Sequence, residues 1–215
     1  MSPRRSDPLD ELEAAIHAFT GRRARAEERR RFAKYLELLL RWNRTHRLTG
    51  HETARDVVRK LFIDSLLFLP LLPPRPHSMV DIGAGAGIPG LPLRIVDPGI
   101  SLTLVESRRK AASFLATAAR ELGLADTQVA HGRAEELVSE ESDYKAKYDV
   151  AVMRAVGFEP ELVGSVLTYL KPGGLLIASG PPAARTAEVA PAGARVQHVP
   201  YPPLALQRTF LIFQR

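Results

Sequence analysis

The chain has 215 residues, 45% hydrophobic and 25% charged, no cysteine, and a net charge of +6. Those proportions describe an ordinary globular protein with enough apolar surface to fold alone. No apolar run approaches the ~18 residues of a membrane span, and residues 1–8 lack the apolar stretch of a signal peptide, so a cytoplasmic location is expected. Without cysteine there is no disulfide framework, no thiolate zinc site and no cysteine-ligated iron–sulfur cluster.

Residues 9–19 and 25–43 read as amphipathic helices; in the second, Phe32, Tyr35, Leu36, Leu39 and Leu40 recur at three- and four-residue intervals. Arg22, Arg23, Arg25, Arg29, Arg30 and Arg31 fall within ten residues. Such a face steers polyanions; the alternative is a solvated helix surface balanced by Glu27, Glu28 and Glu37. A third helix follows Thr53 and carries Val57, Val58, Leu61, Phe62, Leu66 and Leu67. The proline-rich stretch 69–76 ends it. This marks a helical N-terminal region over 1–76 and a second domain over 77–215.

Beyond the break, strands are expected at 78–82, 101–105, 126–130, 148–153, 173–179, 194–199 and 208–213, with helices at 90–97, 108–122, 134–139 and 159–170. Alternation of this kind predicts a mostly parallel seven-stranded sheet covered on both faces. Three β-α-β crossovers precede an antiparallel finish. The Ala/Pro-rich run from Gly180 to Gly193 reads as a loop with one short helix.

The first of those strands ends in Asp81 and leads into Gly83, Gly85, Gly87 and Gly90, four glycines in eight residues. Glycine allows a ligand to approach the main chain closely. A pyrophosphate loop relies on bare amides and a helix N-terminus. A carboxylate at that place favours a cationic, amine-bearing ligand, and S-adenosylmethionine carries both a sulfonium and an ammonium. In a shifted frame, Gly85-x-Gly87-x-x-Gly90 also fits the dinucleotide fingerprint, which keeps an NAD-type oxidoreductase open. Glu106 closes the second strand 21 residues after Gly85, where an acid reaches ribose hydroxyls; it supports a nucleoside ligand without separating the two cofactors. Ligands of open parallel sheets lie at the carboxyl ends of the strands. That rule adds Ala134 and Glu135 after the third strand, as an adenine platform, and Arg154 after the fourth, beside substrate or the methionine carboxylate. A plain salt bridge is the alternative for Arg154. A basic chain with a nucleoside pocket points to a nucleic-acid substrate.

The tract Val80-Asp-Ile-Gly-Ala-Gly-Ala-Gly-Ile-Pro-Gly-Leu-Pro-Leu resembles the donor motif of the RsmG family, also called glucose-inhibited division protein B. Further matches follow in order: Arg41-Trp42-Asn43, Leu48-Thr49, Ile63-Asp64-Ser65, Leu104-Val105-Glu106-Ser107, Lys110, Phe114-Leu115, Arg133-Ala134-Glu135-Glu136 and Arg154-Ala155. Together they span roughly residues 36–180. The resemblance implies a class I S-adenosylmethionine-dependent methyltransferase fold, Rossmann-like, with a small helical N-terminal extension. It also implies methylation of guanine ring nitrogen 7 in 16S ribosomal RNA, free or in the small subunit. By motif match, Gly83, Ile88, Ala134, Glu135 and Arg154 correspond to donor-contacting positions. The expected site is therefore Asp81, Gly83, Gly85, Gly87, Ile88, Glu106, Ala134, Glu135 and Arg154, in an RNA-facing monomer without metal. Three departures stand out: Arg47 where the family usually has Asn, Leu61 where it usually has His, and Ser179 where it commonly has Lys.

The chemistry agrees with the residue inventory. Guanine nitrogen 7 offers a lone pair and no proton, so placement and water exclusion suffice and no general base is expected. Carbon-5 methylation of pyrimidines needs a cysteine nucleophile, and the loop used for exocyclic amines is absent at Met153-Arg154-Ala155-Val156. The six histidines show no metal-ligand spacing. A methyltransferase acting on another RNA, a small molecule or a protein is the nearest alternative.

Overall fold

In the computed structural model the described residues are 7–74, 78–138, 142–154, 160–179 and 193–215. The Ala/Pro-rich run 180–192, the end of the helix expected at 134–139, the start of that expected at 159–170 and Ala155 lie outside them.

Helix α1 (Pro8–Thr20) starts where the Asp7 carboxylate accepts from the Leu9 N–H at 3.0 Å, with Pro8 in its first turn, and stops at Gly21, φ 69°. Helix α2 (Ala26–His46) opens with Glu28 reaching back to the Arg25 N–H at 2.7 Å. It closes at Arg47, φ 46° and ψ 54°. That left-handed conformation costs a non-glycine residue about 1–2 kcal/mol, and asparagine tolerates it best of the rest. The third expected helix forms as α3 (Ala54–Val57), a π-helical stretch (Val58–Ile63) and α4 (Asp64–Leu66).

Strands β1 (Ser78–Ile82), β2 (Ser101–Glu106), β3 (Thr127–His131), β4 (Tyr148–Arg154), β5 (Leu170–Ser179), β6 (Arg195–Tyr201) and β7 (Leu206–Gln214) form one sheet in the order β3-β2-β1-β4-β5-β7-β6. The first five strands are parallel and β7 runs antiparallel between β5 and β6. Helices α5 (Gly90–Val96), α6 (Arg109–Glu121), α7 (Ala134–Leu137) and α8 (Pro160–Tyr169) link consecutive parallel strands. There are thus four crossovers rather than the three counted from the pattern. Strand β5 also begins earlier than the expected residue 173. Gly173 and Gly174 resemble a turn in sequence, yet they stay in the strand by pairing with Arg215: Gly173 N–H to its carbonyl, its N–H to the Gly174 carbonyl, both 3.0 Å.

Strand alternation divides the apolar residues between two faces. One face buries Met79, Leu104, Val150, Val152, Phe210 and Ile212 against α1, α2, the π-helical stretch, α5 and α6. Phe32, Tyr35 and Phe62 form its aromatic centre, with ring centroids 5.3 Å (Phe32–Phe62) and 4.8 Å (Tyr35–Phe62) apart. The other face buries Val80, Ile82, Ala151, Met153 and Leu211 beneath α7 and α8. The N-terminal helices therefore share a continuous core with the sheet.

Candidate functional site

The turn after β1 is folded over the end of β2. The Gly83 and Ala84 N–H groups both donate to the Val105 carbonyl, at 2.9 and 3.0 Å. Glu106 secures it: one carboxylate oxygen accepts from the Gly85 N–H and the other from the Arg108 N–H, each at 2.8 Å. This holds Glu106 within the loop, 4% exposed; the oxygen facing Arg108 also accepts from its Nε at 3.3 Å, while the oxygen on Gly85 keeps a further lone pair.

The glycines have different tasks. Gly83 is exposed with φ 70°, whereas Gly87 and Gly90 are buried. A Cβ on Gly87 would lie 2.4 Å from Leu91 Cδ1 and 2.9 Å from the Tyr35 hydroxyl; one on Gly90 would lie 2.7 Å from Asp81 Oδ2. These two are glycine because side chains of α2, α5 and β1 press against them. The Tyr35 hydroxyl donates to the Ala86 carbonyl, which pins the turn to the N-terminal helices.

Asp81 does not front the loop, as its place in the sequence implies, but lies beneath it and fully buried. One oxygen accepts from the Gly90 N–H at 2.8 Å; the other has no protein partner. Burial pushes this carboxyl up to about 7, against the Gly90 N–H and the charge of Arg154, which favour its ionised form.

A crevice of about 170 Å³ opens at the carboxyl ends of β1–β3. Ile82 and Gly83 contribute from β1, Val105 and Ser107 from β2, the turn Gly132–Glu135 from β3 and α7, and Leu162 from α8. The Tyr169 hydroxyl donates to the Ala134 carbonyl at 2.7 Å, fixing the start of α7. At less than the ~300 Å³ of a drug-sized site, the crevice suits one flat ring rather than a whole nucleoside. The structure thus gathers Gly83, Ala134 and Glu135, with Glu106 between two of the lining residues. Asp81, Gly85, Gly87, Ile88 and Arg154 do not line it. Ser107 and Leu162 escaped sequence reading, since a helical leucine carries no sign that it edges a site.

Arg154 turns toward the N-terminal helices. Its Nε donates to Asp64 Oδ2 at 2.9 Å and an Nη to the Lys60 carbonyl at 2.9 Å. Asp64, 2% exposed, takes Arg208 Nε on its other oxygen at 2.5 Å. One buried carboxylate thus joins the ends of β4 and β7 to α4. His51 lies close enough to feel Lys60, Arg154, Asp56 and Asp64, and burial holds its imidazole below its usual range.

The arginine cluster is largely neutralised. Arg22 grips Glu28 and donates to the Val96 carbonyl at 2.8 Å; Arg29 meets Asp7, Asp10 and Glu13; Arg30 and Arg31 share Glu27. Of the three departures from the family pattern, Leu61 and Ser179 are buried and only Arg47 is exposed. No helix of the described residues is long and apolar enough to cross a membrane, and none of their His, Asp and Glu side chains cluster as a metal site.

Comparison with known structures places the fold. The chain superposes on a SAM-dependent methyltransferase from Aquifex aeolicus with a TM-score of 0.55 at 15% identity, covering 74% of this chain and 92% of that one. TrmN from Thermus thermophilus gives 0.53 at 16% identity, covering 72% and 48%. The architecture is the class I, Rossmann-like methyltransferase fold. In sequence, the chain is 44% identical to the ribosomal RNA small subunit methyltransferase G of Alkaliphilus oremlandii, over 67% of this chain. It is 37% identical to that of Acetivibrio thermocellus, over 69%. These alignments span 60% and 61% of the two relatives' lengths. The model of the GidB family, rRNA small subunit methyltransferase G, matches residues 28–190, and the chain belongs to that family.

Proposed function

We propose that the chain transfers a methyl group from S-adenosylmethionine to ring nitrogen 7 of a guanine in 16S ribosomal RNA, acting in the cytoplasm as a monomer. The observation that carries this reading is the glycine turn, tied by Glu106 over a ring-sized crevice at the carboxyl ends of β1–β3, in a chain of this family. The residues fit the donor. The crevice offers Ala134 and Glu135 to an adenine, the spare lone pair on the Glu106 oxygen that holds Gly85 suits a ribose hydroxyl, and Gly83 leaves the main chain approachable. The unpartnered oxygen of Asp81 is a buried negative pole for a cation above it. When bound, the donor supplies an electrophilic methyl on a positively charged sulfur.

The remaining work is positional. Guanine nitrogen 7 attacks with its own lone pair, so the chain has to align nitrogen, methyl and sulfur and exclude water. Arg154, held by Asp64, is read as positioning the guanine or the donor rather than as a base. Residues 1–76 are read as an RNA-facing helical region on a methyltransferase domain at 77–215. The dinucleotide frame loses support because Gly87, which would have to meet a pyrophosphate, is packed against Tyr35 and Leu91.

Thermal melts separate the cofactors: S-adenosylhomocysteine is expected to raise the midpoint and NADH to leave it unchanged. The substrate test is methylation of 16S rRNA lacking its own modification, read by nucleoside mass analysis. A product other than 7-methylguanosine would reject the assignment.

A further inference from the structure

A second cleft, of about 440 Å³, lies at the end of α2 and is lined by Leu40, Asn43, Arg44, Arg47 and Glu52. Both arginines are exposed, and neither has an acidic partner among the described residues. This contrasts with Arg29, Arg30 and Arg31 near the start of the same helix, all three tied to carboxylates. Arg47 also occupies the left-handed position at the helix end, where asparagine or glycine would sit more comfortably. Among the described residues no ion pair offsets that choice.

The cleft is linked through His51 to the Arg154–Asp64 pair. Its floor residue Asn43 accepts from the Thr49 N–H at 2.8 Å and donates to the His51 carbonyl at 3.1 Å. His51 in turn feels the charges of Arg154 and Asp64. On the other side of α2, Tyr35 holds the glycine turn and Trp42 packs on Phe114 of α6 at 5.6 Å. The helix that buttresses the donor loop therefore ends in two free guanidiniums.

We propose that the Arg44–Arg47 cleft binds backbone phosphates of the RNA substrate beside the target guanine. This rests on the reading of the substrate as RNA. Guanidinium forks suit phosphate oxygens, and a pair at one helix end fixes the strand's register without reading its bases. Glu52 on the same rim opposes an anion, which gives a substitution of opposite sign.

The test measures retention of an unmodified 16S rRNA transcript by the full chain between 50 and 200 mM KCl. It compares wild type, Arg44→Ala/Arg47→Asn and Glu52→Gln. Arg47→Asn supplies the residue the backbone prefers, so the thermal midpoint should hold or rise. Two lost phosphate contacts reduce the slope of log K against log salt by about 1.4. The deficit of the double variant should then shrink roughly sevenfold across that salt range. Glu52→Gln should tighten binding, and S-adenosylhomocysteine affinity should be the same in all three. Wild-type RNA affinity and slope in the double variant would overturn the proposal, as would equal loss of RNA and S-adenosylhomocysteine binding. Failure of wild type to retain RNA while still binding S-adenosylhomocysteine would remove the substrate reading, and this inference with it.

Discussion

The two faces of the sheet are built to different standards. The face under α1, α2, the π-helical stretch, α5 and α6 is closed by interlocked aromatics, with Phe32, Tyr35, Phe62 and Phe114 essentially unexposed. The face under α7 and α8 has a four-residue helix in place of a long one, and the crevice opens there. The first face also braces the loop and the strand ends through single contacts: the Tyr35 hydroxyl to the Ala86 carbonyl, the Gly90 N–H to Asp81, and Arg154 to Asp64. A ligand site needs an incompletely covered edge, and an incompletely covered edge needs a stiff backing.

The contrast is broken most strongly by Phe62→Ala. Emptying the aromatic centre should cost about 3–5 kcal/mol. The thermal midpoint is expected to fall by roughly 6–20 °C. A loss under about 1 kcal/mol in urea titrations would show that this face is not the rigid one.

Next comes Asp81. In the folded chain its carboxyl keeps its proton to about 7, against 3.8 for a free aspartate side chain. Between those values the native state binds the extra proton, so this group's contribution to stability falls as pH rises, by up to about 4 kcal/mol. Asp81→Asn retains an acceptor for Gly90 and removes the titration. Melts from pH 5 to 8 should show wild type losing stability relative to the variant; parallel curves would refute the buried, raised carboxyl. The affinity of cationic S-adenosylmethionine should climb through pH 7 more than that of its neutral-sulfur product.

Asp64→Asn tests the bridge that ties the ends of β4 and β7 to α4. It leaves Arg154 and Arg208, 16% and 32% exposed, without their counter-charge, for a cost of about 2–3 kcal/mol given that partial exposure. Methyl transfer should drop further than product binding, since Arg154 loses its orientation; equal effects on both would make Asp64 merely structural. The smallest change in stability is expected from Tyr169→Phe, about 1 kcal/mol for the unpaired Ala134 carbonyl. Its sharper consequence is weaker S-adenosylhomocysteine binding by calorimetry, because the start of α7 is released. Together with Phe62→Ala this variant would separate what stabilises the chain from what shapes its site.

The alternation of strands and helices, the glycine turn and the acid ending β2 were all legible without coordinates, because period, glycine content and spacing are local properties of the chain. The fourth crossover and the early start of β5 were not, since two glycines look like a turn until Arg215 pairs with them across the sheet. The basic cluster at 22–31 left two readings open, a face for polyanions or a balanced helix surface: residue types report charge, but whether a guanidinium is free depends on carboxylates such as Asp7 and Glu13 brought from another helix. The same holds for Asp81, whose position in the chain suggests a ligand-facing carboxylate and whose side chain parity sends it beneath the loop. Sequence alone determined the fold class and the edge of the sheet where chemistry belongs, because backbone propensity and hydrophobic period act over a few residues. Only the tertiary structure decided which charges are spent on the fold, because that depends on partners distant in the chain, such as Asp64 for Arg154 and, among the described residues, no carboxylate for Arg44 and Arg47.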